Sequence, residues 1–133
     1  MELTLQNYAL AIVSLGAMAT LLLVQTLVAD AVAIRARHVP GTPPEPNPWN
    51  ALFRVSRTVA NANETIAVYI CALLFCLLTA ASPWYTALWA WAYVGTRFVY
   101  AICYYANWAT ARSICFALSV VTLIGLISLG FLA

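Results

Sequence analysis

The chain alternates long apolar stretches with short polar links, and the apolar stretch occurs four times. Each stretch reaches about 20 residues, the length that an α-helix needs to cross the roughly 30 Å hydrocarbon layer of a membrane. The stretches predict four helices, over residues about 6–34, 48–81, 83–107 and 111–132. The pattern therefore predicts an all-α fold, an integral membrane four-helix bundle that forms a single domain.

The links between the stretches contain residues that end and start helices. The first link, RHVPGTPPEPNPWN, is rich in proline, so we expect it to be extended rather than helical. Asn47 before Pro48 is predicted to cap the second helix, and Ser82 before Pro83 the third. The links after the second and third helices are short, which requires antiparallel neighbours.

Composition and charge agree with a membrane location. Hydrophobic residues make up 65% of the chain and charged residues 8%, and a soluble domain of this size cannot bury so much apolar surface. The basic residues are all arginine, and most lie beside the first and third links. Because positive charge collects on the cytoplasmic side, these links are expected to face the cytoplasm. The absence of lysine and the abundance of alanine are typical of a GC-rich genome and favour a bacterial source, which would place this multi-pass protein in the inner membrane.

Polar residues form one face on each of the two central helices. On the second helix the face has spacings of 3, 4 and 3 and consists of Arg54, Arg57, Asn61 and Glu64. On the third helix it consists of Tyr93, Arg97, Tyr100 and Tyr104. Counted from the shared ASPW link at 1.5 Å per residue, Glu64 and Arg97 lie at similar depths of about 25 and 21 Å.

The charges in this layer do not balance. One acid, Glu64, is accompanied at this depth by four arginines: Arg35, Arg57, Arg97 and Arg112. An ion pair between Glu64 and Arg97 that only fixes helix packing would leave the surplus unexplained. Charged side chains inside a membrane are costly and mark functional sites. An arginine surplus with one carboxylate suits an anionic ligand that also carries one cationic group.

Three motifs occupy these positions. RTVANANE has the form R-x3-N-x2-E on the second helix, RFVYAICYY has the form R-x2-Y-x3-Y on the third, and ARS opens the fourth. In this order, in a four-helix chain of this length, they resemble the MAPEG superfamily of membrane-associated proteins in eicosanoid and glutathione metabolism. That family includes microsomal glutathione transferases, leukotriene-C synthase and microsomal prostaglandin E synthase. The resemblance covers nearly the whole chain.

The resemblance implies a homotrimer that binds glutathione as a co-substrate between neighbouring subunits. The matching glutathione-binding positions are Arg35, Arg57, Asn61, Glu64, Arg97, Tyr100 and Tyr104. Glu64 would bind the ammonium group of glutathione, and arginines would bind its two carboxylates. Arg112, with Ser113 beside it, matches the catalytic position that stabilises the glutathione thiolate.

The implied activity is that of a membrane-bound glutathione transferase. A free thiol with a pKa of about 8.5 is only a few per cent ionised at neutral pH, and lowering that pKa by one unit takes about 1.4 kcal/mol. A desolvated Arg112 at the N-terminal end of the fourth helix could supply this stabilisation. The thiolate would then attack a lipophilic electrophile that enters from the lipid bilayer, or reduce a lipid peroxide.

Some positions depart from the eicosanoid members that the chain resembles. Ala60 and Ala62 stand where those members often have an arginine and an acid, and Phe116 stands where some have a tyrosine. These departures argue against the specialised eicosanoid activities more than against glutathione binding.

Three other functions stay open. A protein of the same fold could bind glutathione or another anionic metabolite without catalysing transfer. A small multidrug exporter would use a membrane-embedded carboxylate such as Glu64 to exchange protons for cations, although the arginine surplus would repel cationic drugs. A purely structural membrane subunit is the third.

The remaining candidates for chemistry are weak. The spacing of the four cysteines fits no zinc template, and cysteines in membrane segments are expected to be small apolar filler rather than metal ligands or disulfides. No phosphate loop, nucleophile–base pair or nucleic-acid patch is apparent, so neither a metal nor a nucleic-acid partner is expected.

Overall fold

The chain folds entirely into helices. The structure, a computed structural model, describes residues 2–133, with side chains from residue 5 onward, and shows no strand in this range. The helices are α1 (Glu2–Asn7), α2 (Ala9–Arg35), α3 (Ala51–Leu78), α4 (Pro83–Tyr105) and α5 (Ala109–Phe131). The prediction of an all-α fold is confirmed, and α2 to α5 correspond to the four predicted helices.

The first predicted helix is interrupted at Tyr8. This residue lies in a turn between α1 and α2, is only 3% exposed, and donates a hydrogen bond from its hydroxyl to the carbonyl oxygen of Ala81. Because Ala81 follows the end of α3, the bond joins the start of one helix to the end of another. The apolar stretch begins at Tyr8, after the polar residues Gln6 and Asn7, and the predicted helix over residues about 6–34 did not include a turn at this point.

The predicted cap of the second helix is wrong. α3 begins at Ala51, and the side chain of Asn50, in an extended conformation, accepts a hydrogen bond from the amide of Leu52 at 2.9 Å. The Asn47 side chain accepts instead from the amide of Trp49 at 3.0 Å, in the turn before the helix. Both asparagines have a capping side chain, and the path of the proline-rich link decides which one starts the helix.

The third predicted helix begins at Pro83 as expected, but its cap is different. Ser82 occupies the cap position without a side-chain capping bond, while its carbonyl oxygen accepts from the amide and the hydroxyl of Thr86, both at 2.9 Å. Proline at the first helical position has no amide hydrogen to satisfy. The proline alone therefore accounts for the position of this helix start.

Within residues 2–133, three helices are long and apolar enough to cross a membrane: α2, α3 and α5. α4 has 23 residues but carries Arg97 and many tyrosine and tryptophan rings, which lower its apolarity. Large apolar side chains on the outer surface, such as Leu27 and Ile34 on α2, are more than half exposed. These surfaces suit a lipid environment. That α4 also crosses the membrane stays a prediction.

The core lies between the four long helices. α3 and α4 each contact the other three, and α4 and α5 are the most closely packed pair. The rings of Tyr69 on α3 and Tyr93 on α4 stack with centroids 4.5 Å apart. Their hydroxyls pair with Ser14 on α2 at 2.6 Å and with Thr65 on α3 at 2.8 Å. These hydroxyl pairs set the register of α2 and α4 against α3.

Candidate functional site

Arg97 is a charged side chain beside the site, and it is only 1% exposed. It lies on α4, eight positions before the end of that helix, and its Nη2 donates to the Oδ1 of Asn61 on α3 at 2.7 Å. Its Cζ lies 4.5 Å from the centre of the Tyr100 ring one turn further along. The amide oxygen and the ring face together stabilise a guanidinium that burial would otherwise disfavour.

Glu64 contacts this arginine only through Asn61. The Nδ2 of Asn61 donates to the Oε2 of Glu64 at 3.5 Å, while its Oδ1 accepts from Arg97. The amide thus bridges a buried cation and an exposed carboxylate. The direct Glu64–Arg97 ion pair considered from the sequence is replaced by this relay, which leaves the carboxylate of Glu64 open to solvent.

A second cation lies over an aromatic ring on the other side of the site. Arg112 is in the first turn of α5, and its Cζ lies 4.4 Å from the centre of the Tyr104 ring on α4. The rings of Tyr104 and Tyr100 meet edge to face with centroids 5.7 Å apart. The two arginines therefore bracket a pair of tyrosines on one face of α4.

These groups surround a polar cavity of about 250 Å³ between α3, α4 and α5. It is lined by Arg57, Asn61, Tyr100, Tyr104, Arg112, Ser113 and Phe116. All of these except Phe116 are site residues predicted from the sequence. Arg97 and Glu64 do not line the cavity but contact Asn61, which does.

Ser113 and Arg35 are the two predicted residues with the weakest ties to the cavity. Ser113 lines it, but its hydroxyl donates to the carbonyl oxygen of Ala109 at 3.0 Å, one turn back on α5. Arg35 is the last residue of α2, is exposed, and lies outside the cavity of its own chain. Eight of the nine predicted residues are thus connected within one chain, and Arg35 is not.

Phe116 is the cavity residue that the sequence did not predict as part of the site. Its ring centre lies 6.4 Å from that of Tyr100, and it is four positions after Arg112 on the same face of α5. The helical spacing from Arg112 was the signal that could have identified it. It makes one wall of the cavity apolar.

Two larger grooves have a different chemistry. One of about 530 Å³ lies between α2 and α4, and one of about 510 Å³ lies between α3 and α5. Both are lined almost entirely by apolar residues and include no predicted site residue. The smaller polar cavity is the candidate site because it brings arginine, tyrosine and serine side chains together. Within the described residues, no group of three or more His, Cys, Asp or Glu side chains is placed to hold a metal ion.

Comparison with known proteins gives the family. Among proteins with curated descriptions, none matches this chain. The sequence model of the MAPEG family matches residues 8–132, a range that holds all four long helices and every residue of the polar cavity. On the strength of this match, the chain belongs to the MAPEG family.

Proposed function

We propose that this protein is a membrane-bound glutathione transferase of the MAPEG type, which activates the glutathione thiol for attack on lipophilic electrophiles or for reduction of lipid peroxides. The observation that carries the proposal is the convergence of six sequence-predicted residues on one polar cavity. The cavity lies in a chain whose helices are apolar enough to cross a membrane. A water-soluble thiol and a lipid-dissolved electrophile could meet at such a site.

The charges around the cavity match those of glutathione. Arg57 lines it and can bind one carboxylate through two parallel hydrogen bonds, and the exposed Arg35 of a neighbouring copy can bind the second. Glu64, held by Asn61 and exposed, is free to accept the ammonium group. A ligand with two carboxylates and one ammonium would therefore find a partner of opposite charge for each group.

Arg112 is the residue that we assign to thiol activation. It lies at the N-terminal end of α5, where the helix dipole adds positive potential, and its guanidinium is fixed over the Tyr104 ring. A cation within about 4–6 Å of a thiol favours the thiolate and lowers the pKa of the thiol. Ser113 could donate a second hydrogen bond if its hydroxyl rotates away from Ala109.

The cavity of one chain is small for a tripeptide. At about 250 Å³ it is below the roughly 300–1,000 Å³ of most ligand pockets. We propose that a homotrimer of four-helix transmembrane subunits completes the site, with Arg35 of a neighbouring copy supplying a further cation. The same neighbour would form the apolar path by which the electrophile enters.

A multidrug exporter fits the site less well. Such a protein needs an acidic membrane-embedded site for cationic drugs, whereas the cavity is lined by two arginines and no acid. A MAPEG protein that binds glutathione without transferring it remains the alternative, and the thiolate measurement below distinguishes it.

Calorimetric titration of glutathione into the purified protein in lipid nanodiscs tests the proposal. The wild type is expected to bind at millimolar concentration or tighter. Glu64→Gln should weaken binding about tenfold or more, since it removes a charge-assisted hydrogen bond. Arg112→Ala should lose the ultraviolet absorbance of the bound thiolate while retaining measurable binding.

The matched control is Arg37→Ala, which removes an exposed arginine outside the cavity. It should leave both the glutathione affinity and the thiolate absorbance unchanged, because the positive charge that it removes lies outside the cavity. If the wild type binds no glutathione, the proposal is wrong. If it binds but shows no thiolate in the absence of an electrophile and no turnover in its presence, the binding-only alternative replaces it.

A further inference from the structure

Another cavity with titratable groups lies at the end of α2, away from the candidate site. It has a volume of about 440 Å³ and is lined by Asp30, Ala33, Ile34, His38, Pro40 and Gly41. None of these residues lines the polar cavity between α3, α4 and α5. Its titratable groups are the Asp30 carboxylate and the His38 imidazole, and the proposed glutathione chemistry uses neither of them.

The backbone after α2 turns back on the helix and so forms this cavity. Arg37 has a φ of 53°, the left-handed conformation that ends many helices. Its amide donates to the carbonyl oxygen of Ile34 at 3.1 Å. The amide of His38 donates to the carbonyl oxygen of Ala33 at 3.0 Å. These two bonds are those of a Schellman motif, and the turn brings His38 to the same cavity as Asp30.

A hydrogen bond within the link fixes which nitrogen of His38 carries hydrogen. Its Nε2 lies 2.8 Å from the carbonyl oxygen of Thr42. Because a carbonyl oxygen can only accept, Nε2 is the donor, and Nδ1 is then the acceptor in the neutral ring. Asp30 and neutral His38 therefore bring two hydrogen-bond acceptors to the cavity, which is lined by no arginine.

Asp30 lies where a carboxylate needs a cation. In the part of the chain that the structure describes, its exposed side chain takes part in no ion pair and no hydrogen bond. α2 has 27 residues and a length of about 40 Å, so it exceeds the roughly 30 Å hydrocarbon layer. Its last turns, with Asp30 about 7.5 Å from the end, then reach the lipid headgroups. Ionisable side chains in a membrane helix usually pair with a group of opposite charge.

We propose that this cavity binds the headgroup of a phospholipid that carries a primary ammonium group, as an ethanolamine phospholipid does. The ammonium donates to Asp30 and His38, and its charge balances that of the carboxylate. The phosphate of the same headgroup lies outside the cavity, near Arg37, the exposed cation next to His38 in the chain. The acyl chains run along the surface of α2, where Leu27 and Ile34 are more than half exposed.

The test compares phospholipids that differ only in the number of N–H groups. The detergent-solubilised protein is titrated with phosphatidylethanolamine, its N,N-dimethyl form and phosphatidylcholine, all with the same acyl chains, and native mass spectrometry counts the bound lipid. The wild type should bind the ethanolamine lipid about tenfold more tightly than the choline lipid, as expected for a charge-assisted hydrogen bond. The dimethyl lipid should lie between them. Asp30→Asn should bind all three lipids about equally.

Glu45→Gln is the matched control, because it removes an exposed carboxylate of the same link that lies outside the cavity. It should keep the preference of the wild type for the ethanolamine lipid.

Three results would overturn the inference. The first is a wild type without this preference, or an equal loss of it in Glu45→Gln. The second is displacement of the lipid by an equal concentration of water-soluble glycerophosphoethanolamine, which would assign the cavity to a free amine. The third is an Asp30→Asn protein that keeps the preference but changes the number of chains in its intact mass, which would pair Asp30 with another copy. All these measurements are made without glutathione, so their outcome is independent of the proposed transferase activity.

Discussion

At the scale of single residues, Asn61 has the central position in the polar layer. Its amide accepts a hydrogen bond from the buried Arg97 and donates one to the exposed Glu64. One neutral side chain therefore positions two side chains of opposite charge. An arginine buried in a membrane core needs hydrogen-bond acceptors, because the cost of an unpaired charge there is at least about 2.5–3.5 kcal/mol. Asn61 is therefore important for stability as well as for binding.

Replacing Asn61 should destabilise the fold. Asn61→Ala removes the hydrogen bond to Arg97 and leaves a buried donor unsatisfied, which is expected to cost about 1–3 kcal/mol. Denaturant unfolding of the detergent-solubilised protein measures this change. The control is Asn63→Ala, on the same helix but exposed, which should shift stability by less than about 0.5 kcal/mol. Equal effects of the two substitutions would show that Arg97 does not depend on Asn61.

At the scale of helices, α5 packs closely enough that two of its glycines have no room for a side chain. A Cβ built on Gly125 would lie 2.7 Å from the Trp89 ring of α4, and one on Gly130 would overlap the Phe75 ring of α3. These glycines let large rings approach the backbone of α5. Gly95 on α4 is different, since nothing lies within 4 Å of a Cβ placed there.

Gly125→Ala should therefore weaken the packing of α5 against α4. Overpacking of this kind costs about 1–3 kcal/mol when a ring must move. Gly95→Ala is the matched control and should be neutral or stabilise by up to about 1 kcal/mol, because alanine favours the helix and meets no neighbour. Thermal unfolding in one detergent measures both variants. A Gly125→Ala protein as stable as Gly95→Ala would contradict the close approach of Trp89.

The start of α3 offers a second prediction for this scale. Asn50→Ala removes the side-chain bond to the Leu52 amide and should cost about 0.5–2 kcal/mol. Asn47→Ala removes only a bond in the preceding turn and should cost less. Circular dichroism during thermal unfolding measures the stability of both variants. A larger loss of stability in Asn47→Ala would support Asn47 as the cap, as the sequence predicted.

At the scale of the whole molecule, an assembly of several copies would explain both the apolar outer surface and the small size of the cavity. Apolar side chains cover the outside of α2 and α5, where large residues such as Leu23 and Ile124 are more than half exposed. The polar cavity holds six predicted residues while Arg35 lies outside it. An assembly in which Arg35 reaches the cavity of another copy would account for both features, and that is the homotrimer that we propose.

Mixing two inactive variants tests this assembly. Arg35→Ala and Arg112→Ala trimers should each have little transferase activity, measured with a lipophilic electrophile and glutathione. If the site is shared between copies, random trimers from equal amounts of the two chains should recover about a quarter of the wild-type sites, because some sites then combine both intact arginines. Activity no higher than that of the separate variants would contradict a shared site.

The sequence alone was enough to determine the helices and the two polar faces. Helix hydrogen bonds are local and repeat every 3.6 residues, so the spacing of Arg57 and Asn61, and that of Tyr100 and Tyr104, assigns each pair to one side of its helix. The membrane thickness and short links then set the depth at which those faces meet. For this reason, Arg57, Asn61, Tyr100 and Tyr104 line one cavity, whereas Ser113 was expected there only from the resemblance to the family.

Only the tertiary structure decided how the helices meet. The choice of Asn50 as cap depends on the path of the link before α3, and the break at Tyr8 and the relay through Asn61 depend on which side chains face each other across two helices. That depends on the rotation and axial register of each helix, which the packing of the core sets. Local periodicity gives neither quantity closely enough to name the pairs in contact, because every rotation of a helix keeps its own hydrogen bonds intact.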